Sequence, residues 1–426
     1  MRTKFTAEQL ADPHIAAAEE NLRACVHCGI CTATCPTYVL LGDERDSPRG
    51  RIVMMQAMLE EGGAPTAETV HHIDRCLSCL GCRTACPSNV DYARLVDAAR
   101  VHIETYHVRP RRERALRWLI ANIMTRPALV RAALLSAKIF APLARHLPGR
   151  LGLMADMGAR LKPTHASAIP AVPHAQKRVA LLRGCVQRAL APHVDAAMAR
   201  VLARRDMALV PLDDAGCCGA LAHHLGRAAD AKDKAKRMIA AFENAGGADA
   251  FDAVLIAATG CASHMHEYGF LFLDEPEWKA RADAFSAKLK DFSQIAAPQS
   301  ATPPQNLRVA YHAPCSQQNG LKLSGVGEAQ LIAAGYTVLD IPEGHLCCGS
   351  AGSYSLLQPD IAGALRARKL TNIAGLRPDV IASGNIGCTT HLMGADTPPI
   401  IHPAELVDWA EGGPVPPALV SQFTQG

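Results

Sequence analysis

The 426 residues are 49% hydrophobic and 20% charged, a balance that describes a globular protein and excludes a disordered chain. A formal net charge of +4 and an aromatic content of 4% give nucleic acid little to bind, so no nucleic-acid partner is expected. The first residues, Met-Arg-Thr-Lys-Phe-Thr-Ala-Glu, hold no apolar stretch, and no run of 18 uncharged apolar residues occurs. The sixteen cysteines are therefore expected to be reduced thiols in the cytoplasm, free to bind metal, and not disulfides.

In chain order, residues 6–24 are predicted to be helical, with Thr6 as N-cap. They lead into Cys25-Val-His-Cys28-Gly-Ile-Cys31-Thr-Ala-Thr-Cys35-Pro36. Fifty-one residues later the pattern returns as Cys76-Leu-Ser-Cys79-Leu-Gly-Cys82-Arg-Thr-Ala-Cys86-Pro87. Between the two, Ser47 and Pro48 signal a helix start and Gly62 a stop, and Met54, Met55 and Met58 read as core. Arg49 and Arg51 are either a solvated basic turn or hydrogen-bond donors near a metal site. Both cysteine runs have the spacing C-x2-C-x2-C-x3-C-P and resemble the cluster-binding run of bacterial two-cluster ferredoxins. In such runs three close thiolates hold one cluster, and the fourth, set off by proline, reaches the other. The resemblance implies one [4Fe–4S] cluster on Cys25, Cys28, Cys31 and Cys86, and a second on Cys76, Cys79, Cys82 and Cys35. Structural zinc is the alternative, although zinc sites usually join two Cys pairs across a spacer. The helical insertion between the runs is similar to the helical ferredoxin domain of respiratory dehydrogenase iron–sulfur subunits.

From Val108 to Lys162 there are twelve Arg or Lys against two acids, Glu113 and Asp156, interleaved with apolar residues at helical spacing. Breaks are expected near Pro127, Pro142 and Pro148. Such a basic amphipathic set either lies on an anionic membrane surface or another subunit, or packs on its own protein with a solvated basic face. The stretch from Leu161 to Gln176 reads as a linker.

An internal repeat follows. Cys185, Cys217-Cys218-Gly219 and Cys261 recur as Cys315, Cys347-Cys348-Gly349 and Cys388, at offsets of 130, 130 and 127 residues. Val179–Arg183, Ala253–Ala257, Leu307–Tyr311 and Asp379–Ala382 read as buried parallel strands, with helices such as Val194–Arg204 and Asp230–Asn244 between them. The cysteines then fall at strand ends, where an α/β sheet gathers its ligand loops, and the glycines are expected to permit close approach to a metal centre. Gln294 to Gln305 separates the copies. The division expected is 1–107, a mostly helical two-cluster ferredoxin-like domain; 108–175, a basic helical linker; and 176–300 and 301–426, two α/β cysteine-rich domains. The fold class is thus multidomain α+β with α/β repeats.

This layout resembles the iron–sulfur subunit family of bacterial glycolate oxidase. It is similar in plan to the iron–sulfur subunits of anaerobic glycerol-3-phosphate dehydrogenase, to lactate-utilisation proteins and to heterodisulfide reductase subunits. The resemblance implies electron transfer from FAD-containing dehydrogenase subunits that oxidise a 2-hydroxy acid to a quinone or membrane acceptor. The chain would work in the cytoplasm or on the inner face of its membrane, touching the surface through 108–162. No G-x-G-x-x-G follows a strand, so hydride chemistry is assigned to the partner. The repeats' Cys185, Cys217, Cys218, Cys261, Cys315, Cys347, Cys348 and Cys388 are additional candidate metal ligands for a further iron–sulfur cluster in one or both copies; reduced structural thiols or zinc are the alternatives. Each copy ends in C-x2-H (Cys261 to His264, Cys388 to His391) where heterodisulfide reductase has C-x2-C, which argues against a thiol/disulfide catalyst and makes the two histidines candidate fifth donors. His223, His312 and His345 read as bystanders.

Overall fold

The computed structural model describes residues 1–144, 158, 163–296, 299 and 301–423. The expected break at Pro148, the sequence around 145–162 and part of the 294–305 separator lie outside the described residues. The first predicted helix is two, Ala7–Leu10 and Pro13–Ala24. Thr6 caps the first in a capping box with Gln9. The break comes at Asp12, whose carboxylate accepts from the amides of His14 and Ile15, while Pro13 has no amide to continue the earlier helix. Ser47 caps Pro48–Glu61 through the Gly50 amide, and Gly62, at φ +68°, ends it. Met55 and Met58 from this helix join Leu22, Ile73, Leu95 and Ile103 in the N-terminal core.

The basic stretch forms helices Arg111–Ile123 and Pro127–Ala144, broken at Pro127 as the sequence predicts, while the second helix runs on through Pro142, where a break is expected. Ile120 and Ala121 bury against Leu225, and Leu134 against Ala189 and Leu190, so the pair straps the N-terminal domain to the cysteine-rich half. Two of its cations are structural: Arg109 binds Asp74 and Glu113, each at 2.7 Å, and Arg117 binds the same two acids at 3.0 and 2.9 Å. Among the described residues no single helix is long and apolar enough to cross a membrane. Arg111–Ile123 and Pro127–Ala137, bent by 118°, pass that test together on length and composition.

Each repeat is a four-stranded parallel sheet. Strands β1 (Lys177–Leu181), β2 (Met207–Pro211), β3 (Ala253–Leu255) and β4 (Leu289–Lys290) lie in the order β2-β1-β3-β4. Strands β5 (Arg308–Tyr311), β6 (Thr337–Leu339), β7 (Val380–Ala382) and β8 (Ile400–Ile401) repeat it as β6-β5-β7-β8. The two copies share one core, in which Val179, Leu181 and Met198 meet Val309, Val380 and Trp409. Their helices His193–Ala203 and Pro403–Ala410 are tied by Arg200 and Arg204 on Asp408 (2.6 and 2.7 Å), beside Arg205 on Glu411 (2.6 Å). The shared core and these ion pairs pack the two repeats directly against each other.

Asp195, on that interface helix, is buried, with Arg183 3.9 Å away and Oδ1 lacking a hydrogen-bond partner. Burial pushes its carboxyl up to about 7. The folded protein therefore keeps a proton that the unfolded chain gives up above its ordinary value of 3.8, so Asp195 lowers stability progressively as pH rises from about 4 to about 7. Asp195→Asn should raise the melting temperature more at pH values above this window than below it, by the equivalent of about 1–3 kcal/mol. Thermal melts of both proteins across that range measure it; a pH-independent difference contradicts it.

Candidate metal centres

The N-terminal cysteines gather into two adjoining recesses. The first, about 430 Å³, is lined by Cys25, Cys28, Cys31 and Cys86, with Cys82, Pro48, Arg49 and Tyr92. The second, about 330 Å³, is lined by Cys35, Cys76, Cys79 and Cys82, with Arg51 and Tyr92. The structure thus brings together both sets of four that the ferredoxin resemblance implies, and Cys82 and Tyr92 stand on the wall between them. Local backbone explains the cradle. In each run the residue before the second cysteine and the residue after it take positive φ: His27 (55°) and Gly29 (83°), then Ser78 (51°) and Leu80 (58°). Alternating hands of backbone turn successive N–H groups toward one side, a concavity suited to anions and to iron–sulfur sites. The Ser78 amide already donates to Cys76 Sγ at 3.5 Å.

The thiols also need a cation. Burial first, then neighbouring thiols, pushes Cys31 up to about 11 and Cys79 and Cys82 well above the ordinary thiol value. Thiols packed this way ionise together when a soft metal takes the protons' place. Part of the compensating charge is built in. Arg51 is 1% exposed; its guanidinium lies 3.9 Å from Cys35 Sγ and donates to Thr37 Oγ1, to the His72 carbonyl and, at 3.1 Å, to Asp46. Asp46, fully buried, also receives Arg75 (2.8 Å) and His72 (3.0 Å). Of the two arginines the sequence left open, Arg51 is this buried donor. Arg49 sits on the first recess and pairs with Glu44 at 2.6 Å.

In the repeats all eight cysteines fall at carboxyl ends of strands. Cys185 opens the helix after β1, Cys217 and Cys218 follow β2, and Cys261 lies on the helix after β3. Cys185 Sγ donates to Cys217 Sγ at 3.6 Å, and Cys218 is hydrogen-bonded to Cys217 and Cys261. The second copy matches: Cys315 Sγ donates to Cys347 Sγ at 3.8 Å, Cys348 bonds Cys347 and Cys388, and Asn385 Nδ2 donates to Cys388 Sγ at 3.3 Å. The second set abuts the N-terminal domain. Leu77 and Cys79 pack with Cys315, Cys347 and Tyr354; Asn319 Nδ2 donates to the Cys79 carbonyl at 3.0 Å, and Tyr354 Oη to that of Arg75 at 2.9 Å.

One expectation gains a cause and another changes here. The glycine of each Cys-Cys-Gly is required by packing: Gly219 (φ +87°) is the N-cap of Ala220–His224 and Gly349 (φ +95°) lies in the turn before Tyr354–Leu357, and a Cβ would come within 2.9 Å of the Ala231 carbonyl or 2.7 Å of the Ala362 carbonyl. The terminal histidines also part ways. His391 Nε2 lies 3.3 Å from the Ala362 carbonyl, whereas His264 is buried among His223, His224 and Tyr268. The imidazole that reaches the second cysteine set is instead His312, which the sequence left as a bystander. One of its ring nitrogens and the Sγ atoms of Cys348 and Cys388 all lie within 4.8 Å of one another. The missed signal was position: His312 directly follows β5, three residues before Cys315, where the first copy has Leu182 before Cys185.

Comparison with known proteins agrees with this anatomy. Residues 24–91 match the 4Fe-4S dicluster domain family, and residues 179–266 and 309–393 match the cysteine-rich domain family. The chain is 38% identical to the glycolate oxidase iron–sulfur subunit of Escherichia coli K12 over 96% of its own length and 99% of that protein's. This chain belongs to the glycolate oxidase iron–sulfur subunit family. A probable glycolate oxidase iron–sulfur subunit of Bacillus subtilis is 30% identical over 87% of this chain and 88% of its own. Lactate utilization protein A of Geobacillus kaustophilus is 27% identical over 42% of this chain and 74% of its own, a coarser likeness. Membership and the dicluster match make [4Fe–4S] clusters the cofactors, and the two four-thiol recesses fit them in donor number, softness and backbone cradle.

Gly349→Ala should destabilise the protein by about 1–3 kcal/mol, through positive φ and the carbonyl clash together. Gly363→Ala, in the helix Pro359–Leu376 with nothing within 4 Å of its Cβ, should stabilise by about 0.5–1 kcal/mol. Paired thermal melts check both signs.

Proposed function

We propose that this chain is the electron-transfer subunit of a glycolate (2-hydroxy acid) oxidising complex, receiving electrons from FAD-containing subunits and passing them to a quinone-type acceptor. Cys25, Cys28, Cys31 and Cys86 would hold one [4Fe–4S] cluster, and Cys76, Cys79, Cys82 and Cys35 the other. Such clusters, when bound, supply one-electron redox chemistry at a potential set by hydrogen bonds, charge and exposure. The observation that carries the reading is the contiguity of the cysteine sites: the two recesses share Cys82, and Cys79 packs on Cys315 and Cys347.

The residues around that row have graded roles. At its outer end Cys28 is exposed, flanked by exposed Val26 (68%) and Ile30 (55%), an apolar rim for a redox partner. At the second recess the Arg51 guanidinium favours added negative charge and so a higher reduction potential. Leu77, Ile361 and Leu365 exclude water where the domains meet. For the helical strap, a peripheral position on the inner membrane face is supported by exposed Trp118, Leu135 and Ile139 and by exposed Arg111, Arg112 and Arg114.

Cys28→Ser or Cys79→Ser should abolish electron delivery to a quinone analogue while glycolate still reduces the flavin in the assembled complex. Stopped-flow flavin bleaching and acceptor reduction, read on one preparation, check this. Acceptor reduction at the parent rate contradicts the proposal.

A further inference from the structure

The cysteine sets of the two repeats superimpose in sequence but differ in one donor. In the first copy the residue just after the lead strand is Leu182, 1% exposed and part of the apolar core. In the second it is His312, 3% exposed, its amide on the Ala382 carbonyl at 2.8 Å as the Leu182 amide is on Leu255. The same backbone position therefore delivers an isobutyl group to one site and an imidazole to the other.

His312 sits there at a cost that the apolar residue avoids. Its Nε2 is buried and has no hydrogen-bond partner, an arrangement that opposes folding. Within 4.8 Å lie the Sγ atoms of Cys348 and Cys388, and the chain of sulfur contacts continues through Cys347 to Cys315. Lys369, 3% exposed and donating to the Glu343 carbonyl at 2.8 Å, adds a cation near Cys347 and Cys348. Four thiols and one imidazole exceed what a four-coordinate zinc takes, and their softness suits iron–sulfur chemistry.

We infer that the second repeat holds a third iron–sulfur centre, on Cys315, Cys347, Cys348 and Cys388 with His312 as its nitrogen ligand. This deepens the electron-transfer reading and rests on it, because the site adjoins Cys79 of the second recess. His312 supplies the fifth donor that the C-x2-H ending suggested for His391.

The test uses the full-length, anaerobically purified protein, unlabelled and with 15N-histidine, for metal analysis and pulsed hyperfine spectroscopy of reduced and oxidised samples. The parent should show a histidine nitrogen coupled to a centre other than the two dicluster signals. His312→Leu, the first repeat's residue, should lose that coupling and about four irons per chain. His312→Cys should keep the iron and lose the coupling, which separates ligation from a folding defect. No coupled nitrogen in the parent, coupling that survives His312→Cys, or zinc at this site would each overturn the inference. The dicluster signals are the internal control: their presence without a coupled nitrogen sinks this inference alone, and their absence from the parent sinks the electron-transfer reading itself.

Discussion

Buried thiols are the constraint on which this protein is organised. A cysteine out of water resists ionising, and a second one beside it resists more. Here such thiols meet four at a time, so the folded arrangement is favourable when a soft cation replaces their protons. The rest of the N-terminal domain serves that exchange. Left-handed residues at His27, Gly29, Ser78 and Leu80 turn amides inward, and Arg51 brings a permanent charge to Cys35. The Asp46 network with Arg51, Arg75 and His72 keeps that charge from being buried alone, which would be strongly destabilising.

The same logic gives the repeats their form. Parallel strands deliver cysteines to one edge, and the shared core behind them fixes the two edges relative to each other. The strap of basic helices and the Asn319 and Tyr354 hydrogen bonds then hold the second edge against the dicluster domain. Repetition made two sites; their neighbours made them different. The second has Cys79 and His312 beside it, whereas the first has a cluster of three histidines, His223, His224 and His264, next to Asp97 of the N-terminal domain.

Covalent spacing was the most legible part of the sequence. Steps of three between cysteines and the Cys-Pro endings are short-range and mark the two runs; that Cys35 and Cys86 change places between the recesses was implied only by the resemblance to two-cluster ferredoxins. Long apolar strands and well-capped helices, such as Pro48–Glu61 behind Ser47, were also readable. The edge strands β4 and β8 were not, since two residues carry no periodicity. The Asp12-Pro13 break was masked by good helix formers on both sides. Tertiary features were hidden for a different reason. Arg51 looks like any basic turn residue until Asp46 and Cys35 close on it, and His312 gains meaning only when the loops after β6 and β7 bring Cys348 and Cys388 beside β5.

The account stands most directly on iron and acid-labile sulfide analysis, with low-temperature EPR, of the anaerobically purified protein. It predicts at least about eight irons per chain, four per cubane, with matching sulfide. On full reduction it predicts two magnetically interacting clusters, as recesses sharing Cys82 require. Zinc in place of iron, or iron without sulfide and without a reduced-cluster signal, would contradict it.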